Sequence, residues 1–368
     1  MKESTFQMQH KLCDRRNGQA GFSLIELLIS ITLFATVTGA VYGIMSIASK
    51  DRFTTNQRVQ IMQSARNALN AIGRDAMNAG YNLPNTISAR IPDNALNTVV
   101  GLPADTGTAV DLVAPIVAGP RITSNNLSIL TSSPNGLKTD QVSFLYQDPT
   151  FYSGRAVPVT SVTAASNLIT IDTKGLDATA ATADDIDNTI FTTNDIYLAW
   201  NNTAAALGTV TALTGTNQLT FAATDPLSLN TPTGGGQLIS LAAPFSITRV
   251  TWVTFRVLQD GTLVRTVYGG ASPGKTDMPL AYGIEEMKVD YVTKDGTTYS
   301  STTPDSPGAG TDKALGNADD TPSKLLDIRQ IRVTLKVRSA ENDLRNNNPF
   351  TTTLSATFNT RNLGYDKR

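Results

Sequence analysis

The chain has 368 residues, which suits one large domain or two modest ones. Hydrophobic residues make up 40% of it, enough for a real core, while charged residues reach only 17% and the net charge is −1, which argues against broad phosphate or nucleic-acid binding. The only cysteine is Cys13 and the only histidine is His10, so the chain beyond them has no disulfide, no thiolate or imidazole zinc ligand and no Ser-His-Asp or Cys-His nucleophile system. Abundant Thr, Ser, Asn and Gly fit an extracytoplasmic β-rich fold stabilised by burial and hydrogen bonding.

Residues 1–21 carry Lys2, Lys11, Arg15 and Arg16 against Glu3 and Asp14, so removing this +2 segment takes the net charge from −1 to −3. Residues 22–49, FSLIELLISITLFATVTGAVYGIMSIAS, are apolar apart from hydroxyls, glycines and Glu26. A run of this length spans a bilayer as a helix and exceeds the apolar core of an ordinary signal peptide. The basic residues before it favour a cytoplasmic amino terminus, a vote that Lys50 and Arg52 weaken without reversing. Glu26 is the anomaly. A carboxylate at a bilayer centre costs on the order of 2.5–3.5 kcal/mol, and less near the interface. On the residues alone Glu26 is either an interfacial acid opening an ordinary anchor or a group with a partner. Gly39 and Gly43 form a small-xxx-small pair, read either as a surface for close helix approach or as a local weakening of the helix.

The stretch Gly21-Phe22-Ser23-Leu24-Ile25-Glu26-Leu27-Leu28, after a short basic leader, resembles the prepilin cleavage and methylation motif of type IV pilin-like proteins. The resemblance implies that prepilin peptidase cuts after Gly21, that Phe22 is then N-methylated, and that Glu26 pairs with the terminal amine of a neighbouring subunit during assembly. One departure is that no basic residue directly precedes Gly21, the segment being Asn17-Gly18-Gln19-Ala20 with Arg15 and Arg16 a little upstream. The physics fits the implied pairing, because a carboxylate in lipid gains a charge-assisted hydrogen bond from an ammonium group. The implied partners are prepilin peptidase, other major and minor pilins, an inner-membrane assembly platform and the lipid bilayer. No cofactor and no nucleic acid are implied.

Past the membrane run the helix continues. Met62, Ala65, Leu69, Ile72 and Ala76 step by three and four, and Gly80 and Pro84 end the pattern. A helix over 22–79 is about 85 Å long. Residues 80–140 read as loops with few strands. From Val142 strand signals dominate, with Val142, Phe144 and Tyr146 alternating with polar residues. A weak repeat pairs Val162-Thr163-Ala164 and Asn167 to Ile171 with Val210-Thr211-Ala212 and Asn217 to Phe221, each read as a hairpin, with a strand at Asp195–Trp200 between them. In the last third Ile331, Val333, Leu335 and Val337 alternate with Arg332, Thr334, Lys336 and Arg338, the mark of an antiparallel strand with one wet face. Val253, Phe255 and Val257 do the same, as do Met287, Val289 and Tyr291, and Leu354 to Phe358 closes the sheet.

Tyr282 to Tyr291, Ile331 to Arg338, Thr360-Arg361-Asn362 and Arg74 to Tyr81 resemble the PilW-like branch of minor pilins. The expected fold is α+β: a pilin-like lollipop whose long helix, transmembrane in its first half, packs on an antiparallel β-sheet head with an inserted β-rich subdomain. The expected divisions are a leader at 1–21, a transmembrane or filament-core helix at 22–49, an amphipathic helix at 50–79 and a head at 80–368, with the inserted subdomain near 142–241. Asp295, Asp305, Asp312, Asp319 and Asp320 in the long 295–323 loop are candidate calcium ligands, against a solvated loop without EF-hand spacing. Asp184, Asp185 and Asp187 are a second such group. Glu285 and Glu286, adjacent in a strand, face opposite sides and read as surface charge. The expected function is that of a minor type IV pilin in the bacterial inner membrane, head in the periplasm, that helps initiate, cap or assemble a pilus. A type II secretion pseudopilin and a pilus-tip adhesin are the alternatives, and no spacing nominates an enzyme.

Overall fold

The computed structural model describes residues 22–84, 88–93, 95–101, 110–123, 138–174, 185–232, 235–270, 274–299, 322–343 and 347–363. Residues 1–21, the expected leader, lie outside them, Gly21 included. The chain divides into two compact units, 1–55 and 56–368, and one helix, α1 (Leu24–Asn78), contributes to both.

In the first unit α1 begins where the Ser23 carbonyl accepts the Glu26 and Leu27 N–H groups at 3.0 and 3.1 Å. No proline interrupts it. The hydroxyls of Ser30, Thr32, Thr36 and Ser49 donate back to the carbonyls of Glu26, Ile29, Leu33 and Met45 at 2.8–2.9 Å, so these four hydroxyls are satisfied within the helix itself. Every residue from Phe22 to Lys50 is exposed.

In the second unit the end of α1 is followed by β1 (Ala89–Ile91), α2 (Ala95–Val100), β2 (Asp111–Val113), β3 (Ile116–Thr123), β4 (Lys138–Gln147), β5 (Val157–Thr163), β6 (Leu168–Ile171), β7 (Ile196–Trp200), β8 (Ala205–Thr209), β9 (Ala212–Thr214), β10 (Gln218–Thr220), β11 (Phe245–Val257), β12 (Leu263–Tyr268), β13 (Lys275–Ala281), β14 (Ile284–Thr293), β15 (Thr298–Tyr299), β16 (Ile328–Asn342) and β17 (Pro349–Asn359). Among the described residues the strands form two sheets. The smaller is antiparallel, in the order β15-β14-β16-β17. The larger runs β2-β1-β8-β7-β11-β5-β6-β10-β9, with β3, β4, β12 and β13 joined through the other half of β11.

β11 is the strand that holds the large sheet together. Its first residues pair with β5 and β7, and its last with β4 and β12. The chain buries two apolar clusters accordingly. One gathers Phe151, Tyr197, Phe221 and Ile247 under β5 to β10; the other gathers Ile72, Phe144, Trp252, Val289 and Leu335. The two repeated hairpins, β5–β6 and β9–β10, meet edge to edge through β6 and β10, with Thr170 opposite Gln218. Asn188 plugs the second turn, donating to the carbonyls of Thr214, Gly215 and Gln218 at 3.0–3.2 Å.

The amphipathic stripe is where its periodicity puts it: Ala65, Leu69, Ile72 and Ala76 are all buried. Gly73 is buried with them, and a Cβ there would press on the Phe358 ring, so glycine suits the close approach of helix and β17. The helix stops at Gly80, whose φ of +76° turns the chain away. On β16 Ile331, Val333, Leu335 and Val337 are buried while Arg332 and Lys336 are exposed.

Three expectations change. The 80–140 stretch, read as loops with few strands, holds β1, α2, β2 and the eight-residue β3, where a bulge between Gly119 and Ile122 takes up the Gly119-Pro120 step. Two of the polar residues alternating along β4 and β11 do not face water: Ser143 and Thr254 are both buried and share a 2.6 Å hydroxyl pair between the strands. Glu285 is not surface charge. A register shift between Ile284 and Glu286 breaks the simple alternation, and Glu285 is buried with one oxygen 2.8 Å from Lys336 Nζ.

Candidate functional site

Phe22 and Ser23 directly precede α1, and Glu26 lies in its first turn, four residues after Phe22. The position suits an acid, because the unsatisfied N–H groups of a helix start favour negative charge by about 0.3–1 kcal/mol. Among the described residues no side chain pairs with the Glu26 carboxylate; the main-chain carbonyl of Glu26, by contrast, is held by Ser30. Gly39 and Gly43 lie roughly 20 Å or more further along the helix. They share a face, and a Cβ added at either would have nothing within 4 Å. α1 includes one stretch long and apolar enough to cross a membrane, and none of that stretch is buried, unlike the core helix of a soluble protein.

Two of the candidate carboxylates, Asp295 and Asp187, close local turns. Asp295 accepts from the Thr293 hydroxyl at 2.6 Å and the Thr297 N–H at 3.0 Å, closing the β14–β15 turn, and the Thr293 hydroxyl above all draws its carboxyl below the usual range. Asp187 likewise caps the short turn at Asn188–Ile190 through the Thr189 N–H at 2.9 Å, with the Thr189 hydroxyl the first cause of its lowered pKa. Asp305, Asp312, Asp319, Asp320 and Asp184 lie outside the described residues. Among the described residues no group of three His, Cys, Asp or Glu side chains is placed to hold a metal.

Two charged clusters escaped the sequence reading. Asp75 is buried on α1, its Oδ2 2.6 Å from the donating Arg265 Nε of β12, while Tyr146 of β4 donates to Oδ1 at 3.3 Å and Arg265 donates to the Tyr146 oxygen at 3.3 Å. Burial opposes the Arg265 charge, but Asp75 outweighs it and holds the guanidinium more firmly protonated than usual. Burial, and then the Asp75 carboxylate, push the Tyr146 hydroxyl up to about 12. A signal was present: Asp75 falls three residues after Ile72, on the apolar stripe, where an acid is buried and needs a cation. The second cluster centres on Arg249 of β11, which donates to Asp148 at 3.0 Å, to Asp195 at 3.3 Å and to Thr150 at 3.1 Å. Burial raises the Asp195 carboxyl; at Asp148 burial is outweighed by Thr150 and Arg249 and the net shift is down. Nothing in the spacing of these residues announced this cluster.

The first-turn geometry agrees with comparison to known families. A family described as the prokaryotic N-terminal methylation motif matches residues 16–42, a segment that takes in Gly21, Phe22, Glu26 and Gly39. No characterised protein and no solved structure gave a match. The motif supports a type IV pilin-like or pseudopilin-like protein, a structural class anchored in the membrane, processed by prepilin peptidase and assembled with other pilins.

Proposed function

We propose that this chain is a minor type IV pilin of the PilW-like kind, which helps initiate, cap or assemble a pilus. It sits in the bacterial inner membrane through residues 22–49, with the head from about residue 80 in the periplasm until assembly carries it to the cell surface. Residues 1–21 are its leader, cut between Gly21 and Phe22, and Phe22 is then N-methylated. Glu26 pairs with the terminal amine of a neighbouring subunit, and Gly39 and Gly43 let helices approach. The observation that carries the reading is a carboxylate with no partner among the described residues, on the first turn of an unburied apolar helix, inside the matched methylation motif. The resembling segments at 282–291, 331–338 and 360–362 support the PilW-like branch. No enzymatic role and no cofactor are part of this proposal.

The test is mass spectrometry of the membrane-extracted protein. The expected result is a methylated Phe22 terminus. A chain that keeps residues 1–21 in cells with active prepilin peptidase overturns the proposal.

A further inference from the structure

We infer that the outer edge of β17 is a strand-addition site for an extended segment of a neighbouring pilin-like subunit; the inference rests on the reading of this chain as a subunit assembled with other pilins. β17 ends the smaller sheet and pairs only with β16 among the described residues. The hydrogen bonds fix which main-chain groups face outward. Thr360 N–H donates to the Arg329 carbonyl at 2.9 Å, and Arg338 N–H turns away from β17 to the Gly283 carbonyl at 2.8 Å. With Asn359 opposite Gln330 and Thr351 opposite Arg338, the N–H and C=O groups of Thr352, Leu354, Ala356 and Phe358 face β16. Those of Thr351, Thr353, Ser355, Thr357 and Asn359 point off the edge of the sheet.

An edge of this kind is ordinarily blunted by brevity, charge or proline. The other edges have such devices: β15, β2 and β9 are two or three residues long, β13 carries Lys275, Asp277 and Pro279, and β3 carries Pro120 and Arg121. β17 spans 11 residues without a charge, and its one proline is its first residue. Its core side is also incomplete. No residue of β17 is buried, although Val333, Leu335 and Val337 opposite it on β16 are, and Leu354, Ala356 and Phe358 are only half covered. An added strand completes the row of main-chain hydrogen bonds and covers those three side chains.

The occupant is a different subunit. Arg58 lies 4.5 Å over the Phe350 ring, and Gly73 meets Phe358, so the 58–73 segment of α1 runs in the same direction as β17. A second copy paired antiparallel through β17 would reverse that helical segment, whereas chains inserted by the same terminus in one membrane carry it in one direction. A strand with charges would set them against a row that offers no counter-ion, so the partner segment is uncharged, with apolar residues at alternate positions.

The test uses the full chain in cells that make the other pilin-like subunits. Thr353→Pro removes one outward N–H and leaves every bond to β16 in place. The expected result is that recovery of the neighbouring subunit with the detergent-extracted chain falls about tenfold, the loss of roughly one hydrogen bond's worth of affinity, at unchanged membrane level and Phe22 processing. Normal recovery with Thr353→Pro overturns the inference. Glu26→Ala in parallel separates the two readings: loss with Glu26→Ala alone keeps assembly and removes strand addition, and no loss with either removes assembly itself. If Thr353→Pro lowers the membrane level, a photo-reactive residue at position 353 decides. A cross-link to an extended segment of another chain bearing the methylation motif supports the inference; cross-links only to copies of itself, or none, overturn it.

Discussion

Glu26 separates two physical roles that one residue can serve. As a first-turn acid it favours the helix start by a few tenths of a kcal/mol, and as an anion near lipid it opposes insertion by a larger amount. Substitution to alanine therefore leaves membrane insertion intact or improves it. If the carboxylate pairs with a neighbour's amine, assembly falls in the same variant, and Glu26→Gln, which keeps an acceptor without the charge, lies between wild type and alanine. Membrane fractionation together with piliation or secretion measures both sides. Normal filaments that incorporate the alanine variant at the normal level would remove the pairing role. The contrast with Asp75 shows why residue type alone does not assign function. Both are acids on one helix, but Asp75 is buried with a cation 2.6 Å away, and Glu26 is exposed with none beside it among the described residues.

At the level of elements, the Asp75–Arg265 pair ties α1 to β12, with Tyr146 of β4 between them. Removing one partner leaves a buried charge, which costs about 3–5 kcal/mol. Asp75→Asn in a soluble head beginning near residue 50 is expected to lose that much in urea unfolding. Asp75→Leu with Arg265→Met is expected to lose less than either single change, because the apolar pair removes both desolvation penalties. A single-variant loss under 1 kcal/mol would show the pair to be incidental. How legible such elements were depended on how strictly burial followed periodicity. The α1 stripe and β16 were readable because each has one dry face, so apolar spacing and structure coincide. β4 and β11 are buried on both faces, and their Ser and Thr residues pair with each other, which spacing cannot tell from a wet face. β3 was hidden by the Gly119-Pro120 step within it, and the Asp75 and Arg249 clusters by partners 54 to 190 residues away, whose meeting is decided by sheet topology.

At the scale of the whole molecule the methylation motif at the start was read directly, because a contiguous eight-residue chemistry survives without any tertiary context. The stability of the head is spread more widely, and part of it is held by buried phenols. Tyr146 and Tyr268 are each pushed up to about 12 by burial first, and burial raises Tyr197 and Tyr291 as well. In each case the folded state binds the phenolic proton more tightly than the unfolded chain. The associated stability is complete below the unfolded value near 10, and is lost as pH rises from there through the folded values. The head is therefore expected to unfold cooperatively on the alkaline side, with tyrosinate absorbance and loss of secondary structure rising together. Tyr291 isolates the cause. Its hydroxyl is fully buried with no hydrogen-bond partner among the described residues, and Asp140 and Asp290 add to the shift after burial. An unmade buried hydrogen bond is a cost of about 1–3 kcal/mol, so Tyr291→Phe should leave the melting temperature near neutral pH unchanged or higher. The same variant should keep more of its stability near pH 11, where wild type has begun to lose its own. A drop of more than about 1 kcal/mol near neutral pH would mean that the hydroxyl is hydrogen-bonded in solution, and an unchanged alkaline midpoint would mean that other tyrosines set it.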